Sequence, residues 1–151
     1  MARLTTWQTL LAAQRVRAHQ TSQQEMLDLR GVVERDLRDA KIPELSADRR
    51  YATAYNAILQ LTKMVIACSG YRVVGLGHHH TTFEVLELAM GSQASRFVPF
   101  FDSCRRKRNQ VDYDMANVAT ENEVAQVVKN AESFRRLVEV WIKANHSQYG
   151  L

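Results

Sequence analysis

The sequence is poor in the residues and runs that mark several large classes of protein. It has two cysteines, two prolines and six glycines in 151 residues. Cys68 and Cys104 fall on apolar faces of predicted helices, so we expect reduced core thiols and neither a disulfide nor a metal pair. No CxxC or His-x-x-x-His spacing supports a metal site.

Long apolar runs are also missing. The longest are far too short to span a bilayer, and residues 1–7 lack the apolar stretch of a signal peptide. We therefore expect a cytoplasmic protein with no membrane contact. The motifs of P-loop, dinucleotide-binding, serine-hydrolase and zinc-protease sites are absent too, so no cofactor is expected.

Helical spacing is the main pattern that the sequence does contain. Apolar residues recur every three or four positions in residues 23–40, 51–68 and 124–141. No segment alternates in the manner of a strand, and no Asn-Gly or Asp-Gly hairpin turn occurs. The sequence predicts an all-α protein, an up-and-down bundle of five to six helices.

Local signals predict where these helices begin and end. Ser46 is the expected N-cap of one long helix, and residues 81–84 (TTFE) and 120–123 (TENE) are expected capping boxes. Residues 70–80 contain three glycines and are predicted to form a loop. The chain is therefore predicted to consist of an N-terminal helix or extension (residues 1–22), the helical bundle (residues 23–145) and a frayed tail (residues 146–151).

The charge balance favours an anionic partner. The net charge is +4, and most of the 20 basic residues are Arg. A guanidinium binds phosphate or carboxylate through a planar, two-pronged contact that Lys cannot copy. Composition alone does not identify the partner.

The densest positive charge lies in residues 105–108 (RRKR). Helical spacing from Phe97 places Arg108 on the apolar stripe, where a buried charge costs several kcal/mol unless it is paired. Arg108 should therefore face a carboxylate, a second subunit or a phosphate. The other three side chains of the run are Arg105, Arg106 and Lys107. They either bind phosphate or RNA, or they form a solvated helix face.

Two further groups of side chains could contribute to a site. His78, His79 and His80 are adjacent, so their imidazoles point in different directions, which suits a loop contact with phosphate or a cap better than a closed metal site. Tyr51 and Tyr55 are expected to be core or interface rings with hydrogen-bonded hydroxyls rather than catalytic groups.

Five segments share an order that is typical of one known family. They are residues 35–40 (RDLRDA), 51–57 (YATAYNA), 70–72 (GYR), 108–113 (RNQVDY) and 131–134 (AESF). Taken in order, they resemble the HEPN superfamily over about residues 23–142, and the most telling is the Arg-Asn stretch before the last helix.

This resemblance implies a small helical domain that dimerises. The superfamily includes metal-independent endoribonucleases, often toxins or defence proteins encoded beside a minimal nucleotidyltransferase. Their motif is Arg, often followed by Asn, and then His four to six residues after the Arg. Arg108 and Asn109 match it, but Tyr113 stands where the His is expected. A phenol with a pKa of about 10 is a poor general base at neutral pH.

The departure at Tyr113 leaves several functions open. We favour a dimeric module that binds RNA, a nucleotide or a protein partner, with weak or no cleavage. The alternatives are an endoribonuclease with Arg108 at the phosphate and another group as base, and nucleotide transfer to Tyr113. Asn109 and Tyr113 would meet on a continuing helix, and Tyr113 could equally be a structural cap.

Overall fold

The structure, a computed structural model, describes residues 5–75 and 78–150 of the chain. The side chains of His78, Tyr113 and Asp114 lie outside the described part. The described residues are mainly α-helical with one small two-stranded sheet, which confirms the predicted all-α bundle. Within the same ranges, no helix combines the length and the apolar character that a membrane crossing needs.

Helix α3 (Ala47–Cys68) is the central element, and more than half of its residues are buried. Ser46 caps it as predicted, because the Ser46 hydroxyl accepts a hydrogen bond from Arg49 N at 3.1 Å. The helix ends just before Gly70, whose φ of 94° lies in the region that favours glycine.

Two long helices pack against α3, namely α2 (Gln23–Asp39) and α7 (Glu121–Asn145). The predicted capping box at residues 120–123 is confirmed, since the Thr120 and Glu123 side chains each bond the other's backbone N–H. The predicted apolar seam of α7 is also buried. It consists of Val124, Val127, Ala131, Phe134, Val138 and Trp141.

Helix α6 (Val98–Asn109) begins with Pro99 in its first turn, and its apolar stripe enters the core. The Phe101 ring lies 5.4 Å from the Phe97 ring and 4.8 Å from the Phe134 ring, measured between centroids. Beyond Asn109 the chain widens into one π-helical turn, Gln110–Asp114. Such turns are often found at functional sites.

The N-terminal part forms helix α1 (Trp7–Ala12) and strand β1 (Val16–Ala18), which pairs antiparallel with β2 (Tyr71–Val73). The prediction of a loop throughout residues 70–80 is therefore wrong. A three-residue strand is too short to show alternation, and β2 depends on pairing with a distant segment. The Trp7 and Tyr71 rings stack at 4.3 Å and close this corner.

Helices α4 (His78–Glu84) and α5 (Leu86–Met90) follow β2, then a short 3-10 helix at Gly91–Ala94. The predicted capping box at residues 81–84 is wrong, because α4 begins before it. Thr81 is buried and accepts a hydrogen bond from Arg15 Nη2 at 2.9 Å, and Glu84 pairs with the same guanidinium. Arg15 thus binds the side chains of Thr81 and Glu84, which a capping box would need for hydrogen bonds to the backbone.

The two cysteines are buried and unpaired, as predicted. Burial raises the pKa of the Cys68 thiol to about 12 and that of Cys104 to about 11. Both therefore stay protonated at neutral pH and serve as apolar core groups. At the other end of the chain, Ser147–Tyr149 forms a 3-10 turn, and Gln23 Nε2 donates to Gly150 O at 3.0 Å.

Candidate functional site

The basic run, residues 105–108, occupies the last turns of α6, where positive charge complements the helix dipole. Asp102 accepts hydrogen bonds from both Arg105 and Arg106. Burial raises the pKa of Asp102, but these hydrogen bonds and charges outweigh it and hold the pKa below its ordinary value. The ionised Asp102 therefore draws Arg105 against the helix, while the Arg106 side chain stays 63% exposed.

The other two cations of the run also have carboxylate partners. Lys107 pairs with Glu123 of α7, and Arg108 Nε lies 2.9 Å from Asp112 Oδ2. The hydrogen bond from Lys107 lowers the pKa of Glu123. Every cation of the run thus has a carboxylate partner, but three carboxylates serve four cations. RNA binding by Arg105, Arg106 and Lys107 stays a prediction.

Arg108 lies where its spacing predicts, at the end of the apolar stripe of α6. Its side chain is only 28% exposed, and Asp112, one turn later, is the carboxylate partner. The guanidinium carbon of Arg108 lies 5.8 Å from the centre of the Tyr55 ring, which is a cation–π distance. One edge of the guanidinium is thus held by a carboxylate and one face by a ring, so its orientation is restricted.

Arg108 and Asp112 line a shallow pocket of about 230 Å³ between α2, α3 and α6. The buried carboxylate of Asp36 lies in its wall and accepts a hydrogen bond from Asn56 Nδ2 at 2.5 Å. Arg35 Nε also donates to Asp36, at 3.0 Å. The negative charge of Asp36 is therefore already satisfied within the chain.

Arg49 lines the same pocket, and sequence reasoning missed it. It lies in the first turn of α3, is exposed, and its guanidinium has no hydrogen-bond or ion-pair partner among the described side chains. No local pattern separates Arg49 from an ordinary solvated residue. Its proximity to Arg108 arises only when α3 packs against α6.

Tyr55 connects the pocket to the histidine run. The ring is buried, as predicted for a core residue, and its hydroxyl lies 3.4 Å from His79 Nδ1. Burial raises the pKa of the Tyr55 hydroxyl well above its ordinary value, and the charges of Arg108 and Arg105 offset only part of this effect. Tyr55 is therefore a neutral phenol between an imidazole and a guanidinium.

The prediction that His78, His79 and His80 lie in a loop is wrong, because these residues begin helix α4. Their contact with a phosphate stays a prediction. His79 contacts Tyr55, and His80 Nδ1 lies 3.7 Å from Asp102 Oδ1. The side chain of His78 lies outside the described residues. The sequence did not predict that His80 lies near Asp102, because the two residues are far apart along the chain and meet only where α4 packs on α6.

The remaining predicted site residues are Asn109 and Tyr113. Asn109 ends α6 and is exposed. The predicted contact between Asn109 and Tyr113 involves a side chain outside the described residues, so it stays a prediction. The backbone at this point is the π-helical turn rather than a continuing α-helix.

Chemically, the pocket offers two guanidinium groups, a carboxamide, a hydroxyl and two carboxylates that already have partners within the chain. The imidazole of His79 lies beside the Tyr55 hydroxyl. Guanidinium groups from separate helices suit a phosphate, whose oxygens accept several hydrogen bonds at once. Among the described side chains, no three His, Cys, Asp or Glu converge as metal ligands would. The pocket residues other than Arg108 and Asp112 are Asp36, Arg49, Ala52, Thr53 and Asn56.

Comparisons with protein-family models, curated proteins and solved structures give no match to the chain. Function must therefore be inferred from these side chains and from the resemblance of their sequence motif.

Proposed function

We propose that the protein is a HEPN-like module that binds the phosphate backbone of RNA at Arg49 and Arg108 and cleaves RNA weakly or not at all. The observation that carries this proposal is that Arg49 of α3 and Arg108 of α6 line one pocket. Arg108 is pre-oriented by Asp112 and Tyr55, whereas Arg49 has no carboxylate partner among the described residues. A phosphate would complete the charge balance of Arg49.

The candidate bases favour weak or absent cleavage. Tyr113 stands in place of the motif histidine, and His80 faces Asp102 rather than the pocket lining. General base catalysis requires a group within hydrogen-bond reach of the 2′-hydroxyl. His80 is not placed to meet that requirement with Arg108, and a phenol such as that of Tyr113 is a poor base at neutral pH.

A metal-independent endoribonuclease is the second candidate function, and His79 is the observation that favours it. Its Nδ1 atom lies 3.4 Å from the hydroxyl of Tyr55, against whose ring Arg108 packs. In this scheme the ribose 2′-hydroxyl gives its proton to His79 through the Tyr55 hydroxyl, and the 2′-oxygen attacks the phosphorus as the bond to the 5′-oxygen breaks. The proton passes to the leaving 5′-oxygen while Arg108 stabilises the phosphate. RNA cleavage that persists in EDTA and is lost in His79→Gln, with RNA binding retained, would establish it.

The assembly proposed from the resemblance is a homodimer in a toxin–antitoxin or defence system, with a minimal nucleotidyltransferase as partner. Sedimentation should therefore show a concentration-dependent dimer, and a monomer at all concentrations would contradict this assembly. If the partner transfers a nucleotide to Tyr113, Tyr113→Phe should abolish labelling. Undiminished labelling of that variant would place the acceptor elsewhere.

The direct test of RNA binding is filter binding of a single-stranded RNA to the full chain. We expect Arg49→Gln and Arg108→Gln each to weaken binding roughly tenfold, since each removes a charge-assisted hydrogen bond worth about 1.5 kcal/mol. Lys129→Gln is the matched control, because Lys129 is exposed on α7 with no ion pair among the described residues. Equal affinity of all three variants would mean that the pocket does not bind phosphate.

A further inference from the structure

A cavity of about 560 Å³ lies beside the two-stranded sheet, between α2, α3 and β2. Its volume falls in the range of small-molecule sites, about 300–1,000 Å³. None of its described lining residues also lines the pocket of Arg49 and Arg108. The cavity is therefore separate from the proposed RNA site and needs an explanation of its own.

Most of the wall of this cavity is aliphatic. Of the Phe, Tyr and Trp rings, only Tyr71 is among the described lining residues, and its ring is already stacked on Trp7 at 4.3 Å. A flat heterocycle would find no free ring face there to stack on, and its polar edge would lose hydrogen bonds to water. A hydrocarbon chain has neither requirement. The aliphatic lining residues are Leu29, Ile66, Ala67, Val73 and Val74.

The charges that line the cavity leave one positive charge over. With His19 neutral, the described lining has two cations, Lys63 and Arg72, and one anion, Glu25. Both Glu25 oxygens already contact His19 Nε2, at 2.9 and 3.0 Å. Lys63 and Arg72 are exposed, and neither has an ion pair among the described side chains. A single carboxylate would balance the lining, whereas a phosphate monoester, with a charge of about −1.5 to −2, would exceed it.

Arg72 has a further electrostatic reason to attract an anion. In the β1–β2 register it lies directly opposite Arg17, and both side chains are exposed. Like charges that oppose each other directly destabilise an antiparallel pair. Arg17 is not among the residues that line the cavity, so an anion bound there would contact Arg72 and would reduce the repulsion between the two arginines.

We propose that this cavity binds a free fatty acid of medium chain length, with the carboxylate at Lys63 and Arg72 and the hydrocarbon chain along the aliphatic wall. The guanidinium of Arg72 matches both oxygens of a carboxylate in one plane. The butyl stem of Lys63 can cover apolar surface while its ammonium group stays in water beside the carboxylate. Recognition therefore needs one negative charge and an aliphatic body.

Isothermal titration of the full chain with butanoate, hexanoate and octanoate tests this ligand class. We expect one octanoate per chain, and an affinity that rises roughly fourfold for each methylene group that enters the cavity. Octan-1-ol, which lacks the charge, should bind at least threefold more weakly than octanoate. Absence of octanoate binding, or equal affinity for butanoate and octanoate, would overturn the proposal.

Variants of the lining residues locate the ligand. Lys63→Gln and Arg72→Gln should each weaken octanoate binding at least threefold, and Leu29→Gln should do the same by removing part of the aliphatic wall. Arg38→Gln is the matched control, because Arg38 is an exposed α2 residue with no ion pair among the described side chains and does not line this cavity. Equal binding by the Lys63, Arg72 and control variants would overturn the assignment.

Two further titrations exclude the alternatives to this site. Adenosine 5′-monophosphate should bind at least tenfold more weakly than octanoate, and tighter binding of the nucleotide would show that the fatty acid is the wrong ligand. Arg108→Gln should leave octanoate binding unchanged. Loss of octanoate binding in that variant would place the ligand in the α6 pocket and would overturn the second site.

Discussion

The basic run of α6 and the corner formed by β1 and β2 both concentrate positive charge, but only the basic run has carboxylate partners among the described residues. Along α6, Asp102 pairs with two guanidinium groups, and the remaining cations of residues 105–108 have one carboxylate each. At the sheet, Arg17 and Arg72 oppose each other without a carboxylate among the described residues. Charge density is therefore a poor guide to binding, and unbalanced charge is a better one.

The largest effect is expected at the carboxylate that supports the α6 pocket. Asp36→Asn should lower the free energy of unfolding by about 2 kcal/mol, because the buried carboxylate loses its charge-assisted bonds to Arg35 and Asn56. Urea unfolding measures the change. Asp39→Asn, with no side-chain bond among the described residues, should change stability little. A similar loss of stability in both variants would show that the bonds of the Asp36 carboxylate to Arg35 and Asn56 do not stabilise the fold.

An intermediate effect is expected where two cations share one carboxylate. Asp102→Asn should cost about 1 kcal/mol of stability, since the side chain is mostly buried against Arg105 and Arg106. It should also strengthen RNA binding, because both guanidinium groups become available. Unchanged or weaker RNA binding by this variant would mean that these cations form a structural face only.

The same pairing predicts a pH dependence. The folded pKa of Asp102 lies below its unfolded value, so the stabilising contribution is complete above the unfolded pKa of about 4. It is lost as the pH falls through the lower, folded pKa. Acid unfolding of the parent protein should therefore show a component below about pH 4 that Asp102→Asn lacks. An identical acid profile for the two proteins would contradict the pairing.

The smallest effect should have the opposite sign. Arg72→Gln removes one member of the opposed pair, so stability should rise by about 0.5 kcal/mol or less at low salt, and the gain should shrink as salt screens the repulsion. Arg105→Gln should instead lower the melting temperature. A loss of stability in Arg72→Gln would show that the sheet arginines are already paired in solution.

Sequence patterns predicted the elements whose causes are local. The seam of α7 follows from residues three and four apart, and the Thr120 capping box from side chains within one turn. The box at residues 81–84 failed although it has the same pattern, because Arg15 binds Thr81 and Glu84 in the folded chain. A cap is thus predictable only where no tertiary partner competes for its side chains.

The candidate site was predictable only in part for the same reason. The place of Arg108 follows from helical spacing within α6, and a carboxylate partner was among the expected solutions. Arg49 and His79 reach the same region from other helices, and their approach depends on how α3 and α4 pack against α6. No pattern within either segment encodes that approach.

The salt dependence of RNA affinity tests phosphate binding by Arg49 and Arg108 directly. In a single strand, each phosphate neutralised by a cation adds about 0.7 to the magnitude of the slope of log affinity against log salt concentration. We expect the double variant Arg49→Gln, Arg108→Gln to bind a single-stranded RNA more weakly and with a slope smaller in magnitude by about 1.4, while Lys129→Gln matches the parent protein. An unchanged slope and affinity in the double variant would contradict phosphate binding at this pocket.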